Sequence, residues 1–340
     1  MLCCLSFLSA LCLLIPLCNS VYQDWSDRLI MTKSICLACP VLLVAMKILI
    51  CRFQRHRFKI LLQELIKFLK EANKPERKVI DYYVKKHVFL NLSLSITGFL
   101  TALIFVIGPF LLSTPLPTDA KYPFLINSSF RRFIIYLHQS IVAFQVASTM
   151  VIDCLCASLL WFTAARFEIL SQDFKNIQSE SDVYLRIRQH QYLLIYAKTL
   201  RIAIRGLVFS TLLTATTAIV FASVPFFTPA SLMIKAQFAF IVCSAGTLVF
   251  LTAWPADHLI ITTSKIGTAA FNSSWIGLPP KLLKCWILIL KMSQKPITIN
   301  IAGILPTLSL PYFFQFVSKV FSYLATLRII IMKEIVWSGT

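Results

Sequence analysis

Four polar side chains on an otherwise apolar stretch offer the sharpest chemistry in this chain. Gln315, Ser318, Ser322 and Thr326 are spaced 3, 4 and 4 apart, so in a helix they share one face. Lys319 and Ile330 flank that face, and Phe313, Val317, Val320, Phe321, Leu324 and Leu327 cover the rest. A polar stripe on a membrane helix cannot face lipid cheaply, so it faces protein or water. Asp153 is the second feature. It lies inside an apolar run, about 16 Å of helix from Ala164 by the rise per residue. Two readings stand open: an intramembrane acid with a function, or an acid near the interface on a helix that projects past the bilayer.

Enzyme chemistry finds little support. The five histidines (His56, His87, His138, His190, His258) show no H-E-x-x-H or comparable ligand spacing, and neither G-x-S-x-G, Walker A nor G-x-G-x-x-G occurs. No catalytic residue, metal site or cofactor is expected. The run Trp254-Pro-Ala-Asp257-His258 invites an acid/base reading, but Asp257 is expected to pair with a nearby base and hold helices together. Eleven cysteines are present, and none pairs up within an exterior loop. Cys36-Leu-Ala-Cys39 sits inside an apolar run, where it reads as packing rather than redox or metal chemistry.

The elements that would position these groups are membrane helices. Of 340 residues 58% are apolar and 14% charged, with mean hydropathy +0.77, a membrane-class composition. Seven apolar runs read as spans: 2–18, 29–51, 88–112, 133–163, 206–227, 236–260 and 296–332. The first is read as a span rather than a signal peptide, because Met1-Leu-Cys-Cys has no basic n-region. In the segment after the second run, Phe58, Leu61, Leu62, Leu65 and Leu69 mark an amphipathic helix continuing from it, with a solvated or a membrane-surface reading. The net charge of +19 would suggest nucleic acid in a soluble protein. Here the bases stand in blocks between spans, so no nucleic acid partner is expected. Segments 52–86, 164–205 and 261–295 hold 11, 7 and 5 Lys/Arg, whereas 19–28, 113–132 and 228–235 hold 1, 3 and 1. The positive-inside rule then puts the first set, and the N-terminus, in the cytosol and the C-terminus outside. The sequon at Asn127 falls outside as glycosylation requires, while Asn272-Ser-Ser falls inside. The expected fold is all-α, one seven-helix membrane domain over 1–340.

Small polar and aromatic residues in the outer halves of spans three, four and six suit a cavity for a small volatile or lipophilic ligand. They are Thr101, Phe105, Tyr136, Gln139, Ala143, Phe240 and Ser244.

An ordered set of motifs resembles the insect odorant receptors. It comprises Trp286, Ser293-x-Lys295-Pro296, Leu308-Ser-Leu310, Ser322-Tyr323 and Leu327-Arg328. Leu116-Pro-Thr-Asp-Ala-Lys-Tyr-Pro-Phe124, Ala165-Arg-Phe-Glu168 and the region of His190, Leu193-Leu194 and Tyr196 also resemble that family, so the likeness runs from about residue 20 to the end. The family's N-terminal helix and its Gly-x-Trp-Pro-like segment have no counterpart, and the expectation is a truncated gene model. The resemblance implies an odorant-binding subunit of a ligand-gated, non-selective cation channel, assembled with the odorant receptor co-receptor as a heterotetramer in the plasma membrane of olfactory sensory neurons. It implies that the cytosolic parts of spans four to seven join the subunits and that the outer part of span seven lines the pore. The gate then falls at Thr326 and Ile330, and Gln315, Ser318, Ser322, Thr326 and Ile330 are the pore-lining candidates. A gustatory receptor is the nearest alternative reading. A membrane transporter is a further one, although no repeat relates the two halves.

Overall fold

A computed structural model describes residues 2–25, 27–112, 116–118, 120–124, 126–177, 179–228, 231–273, 275–301 and 306–338. The chain is all-helical. Its α-helices are α1 (Leu2–Gln23), α2 (Arg28–Phe53), α3 (Arg55–Glu71), α4 (Lys74–Leu112), α5 (Ser129–Lys175), α6 (Glu180–Ala222), α7 (Leu232–Phe271), α8 (Pro280–Ser293) and α9 (Leu310–Ser338). Among the described residues seven of them, all but α3 and α8, are long and apolar enough to cross a membrane.

Local chemistry sets the helix starts. The Asp27 carboxylate accepts from the Leu29 and Ile30 amides at 2.9 and 3.2 Å and opens α2. Asn73 and Glu76 exchange side-chain-to-backbone bonds at the start of α4, and Ser179 and Asp182 form a capping box at the start of α6. Pro280 opens α8, where its missing N–H would be unpaired in any case.

Several of these helices far exceed a bilayer. At 47 residues α5 is about 70 Å long, against roughly 30 Å of hydrocarbon. The basic stretch between spans four and five is thus made largely of helical extensions of those two spans, because its charged residues are good helix formers. They build the main core, where Trp161, Phe167, Phe174, Leu200, Ile204, Leu259 and Trp286 are buried. Smaller clusters stand beside it, such as Leu13, Leu17, Val44 and Val142 between α1, α2 and α5. The helix α5 is the hub and touches α1, α2, α4, α6 and α7.

The structure shifts two expected elements. Residue Gln54 separates α3 from α2, so the amphipathic helix does not continue the second span. Phe68 rather than Leu69 completes its buried face, and Leu69 is 42% exposed. The segment expected as span seven from residue 296 is not helical before Leu310 where it is described. Pro296 and Pro306 fit this, since each lacks an N–H and disfavours a continuous helix through it, whereas Pro311 stands in the first turn of α9, where a missing N–H costs nothing.

Two contacts place this lead-in against α7. Gly267 leaves room for Ser293, since a Cβ there would meet the Ser293 hydroxyl at 2.5 Å. The Ile297 amide donates to Thr263 at 3.3 Å. Just before it, Trp286 plugs the core edge-on to Phe174 at 5.3 Å and donates its indole N–H to Ala270 O at 3.2 Å. Trp286→Ala is expected to destabilise the basic-end bundle by roughly 3–5 kcal/mol, with Trp286→Phe losing clearly less. Thermal denaturation in detergent checks this, and equal melting of Trp286→Ala and the parent would refute it.

Candidate functional site

The helix α9 has a core face, a polar stripe and, between them on one side, an exposed apolar edge with Phe314 and Phe321. Tyr312, Phe313, Phe316, Val317 and Val320 pack onto the main core, with the Phe313 ring 5.4 Å from that of Phe250 on α7. Gln315, Ser318, Ser322 and Thr326 are exposed on the opposite side. At 100° per residue the two sets are centred nearly half a turn apart. Ile330, at the end of the stripe, is 49% exposed. The Thr326 hydroxyl donates to the Ser322 carbonyl one turn earlier at 3.0 Å, which leaves its acceptor lone pairs facing outward. Lys319 is exposed at the edge of the stripe.

The seven expected ligand contacts distribute over several surfaces. Tyr136, Ala143 and Met150 recur every seven residues along the face of α5 that meets α4. The Tyr136 hydroxyl donates to Val106 O at 2.9 Å, its ring lies 5.7 Å from Phe110, and Met150 faces Gly98. Phe105 is half-buried on the same stretch of α4. Thr101 is exposed and donates to Thr97 O. Gln139 turns instead to the loop between α4 and α5, where it accepts from the Thr118 amide at 3.1 Å and donates to the Tyr122 hydroxyl at 3.1 Å. Lys121 of the same loop pairs with Asp24 after α1 at 2.5 Å. On α7, Ser244 donates to its own helix at Ile241 O and Phe240 is half exposed. The sequon residue Asn127 is exposed next to Ser128, the N-cap of α5.

Asp153 is buried inside the helix bundle. It is 2% exposed and takes Lys47 of α2 at 2.5 Å, a lysine that is itself 0% exposed. Lys47 also donates to Thr149 O at 3.1 Å, and the Thr211 hydroxyl of α6 donates to the other Asp153 oxygen at 3.2 Å. Three helices therefore meet on one buried pair whose members are hydrogen-bonded beyond each other, the condition for tolerating charge in an apolar medium. Sequence reasoning missed Lys47. Its signal was a base within the apolar run 29–51, which matters only once an acid at the same level is known.

Toward the basic end, the Trp161 ring of α5 is surrounded by Tyr83, His87, Trp254 and His258 at centroid distances of 5.1–5.9 Å. The Lys86 ammonium lies over Trp161 and Trp254 at 5.2 and 5.6 Å. The Tyr83 hydroxyl and His258 Nε2 are 3.1 Å apart. His258 is thus a packing group in an aromatic cluster. Asp257 is half-buried and makes no ion pair among the described residues. Of the bases on the same helix, Lys265 lies 4.0 Å from Glu168. Through Phe250, stacked on Trp254 and in contact with Phe313, this cluster reaches α9.

A family model described as 7tm odorant receptor matches residues 29–321. A Drosophila melanogaster chain named for odorant receptor 92a is 32% identical over 90 residues, which is 26% of this chain and only 22% of that relative's length. The structure of the insect olfactory receptor OR5 from Machilis hrabei superposes with a TM-score of 0.82 at 15% identity, covering 95% of this chain and 87% of that one. The same receptor in complex with eugenol gives 0.78 at 15% identity, over 97% and 88% of the two chains. At that identity the likeness shows a shared fold.

The buried pair makes a sharp prediction. Asp153→Asn and Lys47→Met each leave one partner without its counter-charge, at a cost of about 3–5 kcal/mol. The double variant Lys47→Met/Asp153→Leu removes both charges and is expected to recover most of the folded protein. Monodispersity on size-exclusion chromatography and surface biotinylation report the outcome. Single variants as well folded as the parent would show that the pair does not hold these helices.

Proposed function

The chain belongs to the 7tm odorant receptor family, and from that premise we propose that it is the odorant-binding subunit of a ligand-gated, non-selective cation channel. Its partner is the odorant receptor co-receptor, in a heterotetramer, and its place is the plasma membrane of olfactory sensory neurons. That family is one of receptors rather than enzymes, and the chain is a multi-pass membrane protein. The observation that carries the channel reading is the divided surface of α9: one face is packed on the core and a polar one is left open. Lipid is a poor neighbour for that second face. A water-filled axis shared with other subunits satisfies it.

On this reading the stripe lines the conduction path. Gln315, Ser318 and Ser322 offer uncharged donors and acceptors to hydrated ions, and Thr326 with Ile330 forms the outer constriction, where an aliphatic ring gates by dewetting. The solved relative in complex with eugenol supports a small lipophilic odorant as the ligand class. The face of α5 carrying Tyr136 and Ala143, with Phe105 and Thr101 of α4 and Phe240 and Ser244 of α7 nearest the same outer end, is the proposed contact region. Gln139 acts there indirectly by holding the exterior loop. An odorant opens the channel only by binding the open arrangement more tightly than the closed one. The route runs from α5 through Trp161, Trp254 and Phe250 to Phe313.

Two experiments test this. With the co-receptor co-expressed, Thr326→Cys and Ile330→Cys are expected to make odorant-evoked current sensitive to a charged thiol reagent, while Leu324→Cys and Leu327→Cys stay insensitive. The opposite pattern would place the pore on the other face of α9, and odorant-evoked current without the co-receptor would remove the heteromer. Orientation is read separately. Asn127→Gln is expected to abolish an endoglycosidase-sensitive mobility shift, and a C-terminal tag is expected to be stained in intact cells. A tag stained only after permeabilisation would invert the topology.

A further inference from the structure

The short helix α3 lies across the bundle at the level where the spans emerge. The Leu61 carbonyl accepts from the Tyr196 hydroxyl of α6 at 3.4 Å. Seven residues on, the Phe68 ring sits 5.8 Å from that of Phe162 on α5. Phe162 and Tyr196 are themselves neighbours at 6.1 Å. So two points about 10 Å apart on α3 meet side chains at one depth of α5 and α6, and the helix runs across the pair rather than alongside it. Arg166 fastens the crossing: its guanidinium stacks over Phe68 at 4.0 Å and meets Glu64 at 3.3 Å. Phe162 stands at the basic end of the apolar part of α5, which puts α3 at the edge of the bilayer.

The other side of α3 faces away from the bundle. It carries Arg52 just before the helix, then Lys59, Lys67 and Lys70, all exposed and none in an ion pair among the described residues. Interleaved with them are exposed apolar side chains: Phe53 at 80%, Ile60 at 44% and Ile66 at 51%. Glu71 is the one acid on this exposed side of the helix. Water alone is a poor match for the apolar members and a bilayer interior is a poor match for the cations. The headgroup region suits both, because lysine stems snorkel and aromatic rings sit at that depth.

We propose that this outward face of α3 docks on the anionic phosphate headgroups of the membrane leaflet it borders, so that Arg52, Lys59, Lys67 and Lys70 tie the bundle to acidic lipid. The proposal rests on the proposed topology for which leaflet is bound, but not for the binding itself. A clustered basic face beside a span attracts acidic lipid, and salt weakens the attraction. Anchoring there would fix the depth of α3, and with it the inner ends of α5 and α6.

The test uses the full-length chain in nanodiscs of phosphatidylcholine with one-fifth phosphatidylserine, and reads the motionally restricted fraction of spin-labelled lipids. The parent is expected to favour labelled phosphatidylserine over labelled phosphatidylcholine by about threefold, since an attraction of roughly 1 kcal/mol per basic residue at α3 is averaged over all the lipids that border the bundle. Arg52→Gln/Lys59→Gln/Lys67→Gln/Lys70→Gln is expected to bring that ratio close to one, as is half-molar salt on the parent. Lys281→Gln/Lys284→Gln/Lys291→Gln, on the separate helix α8, is expected to keep most of it. No preference in the parent, or an equal loss in both variants, would overturn the proposal. So would an unchanged lipid ratio in the α3 variant with a lost association with the co-receptor, which would make this face a subunit contact. Nanodiscs carry acidic lipid on both faces, so an inverted topology leaves the selectivity intact and shows only in the tag experiment.

Discussion

A lysine and an aspartate with almost no exposed surface hold the middle of this molecule together. The pair joins α2 to α5, and Thr211 adds α6. Inside a bilayer the hydrophobic effect does not draw helices to one another, because lipid tails are as apolar as leucine. Packing contacts and polar bonds must do it. One buried charge without its partner would be intolerable there, so α2 and α5 cannot separate at this depth without a large penalty. At the basic end the constraint is ordinary core packing around Trp161, Phe174 and Trp286, with water outside. Away from the basic end the main core thins along α6 and α7, and smaller clusters join the other helices beside it.

Much of the architecture was legible in the chain because bilayer thickness imposes a length on apolar runs. The helices themselves run on far beyond those lengths. Hydropathy sees where α5 and α6 leave lipid, but not that Arg166, Lys175, Arg186 and Arg188 continue in helical geometry. Phe58, Leu61, Leu62 and Leu65 of α3 were read on the right face, and only the last position was read one residue off, because Phe68 and Leu69 are both apolar and the position of Phe162 decides between them. Lys47 escaped because its meaning lies 106 residues away, at Asp153. The stripe on α9 was legible for the opposite reason: its pattern is periodic and local, and a membrane makes polar periodicity costly.

The proline-broken lead-in gives α9 a particular mechanical status. Ser293 nests against Gly267 and the Ile297 amide reaches Thr263, so the start of the lead-in is tied to α7. The helix then begins afresh at Leu310 and meets the core through one row of aromatic and branched side chains. Such a helix is registered at its base and held along one side. The aromatic series from Trp161 to Phe313 bears on that side.

Many hydroxyl groups in the half of α4–α7 away from the basic end are satisfied within their own helices. Thr101, Ser140, Ser148, Thr214, Thr216, Thr217, Ser244 and Thr247 each donate to a carbonyl three or four residues earlier. Such groups place no demand on a neighbouring helix. Their replacement by alanine or valine leaves no orphaned partner across an interface. Mutational drift in this half is therefore cheap, while the charge pair and the aromatic core hold the scaffold constant. A lineage of such chains can diversify what its outer half recognises without re-solving the folding problem each time. That is the evolvability expected of a fold shared at only 15% identity.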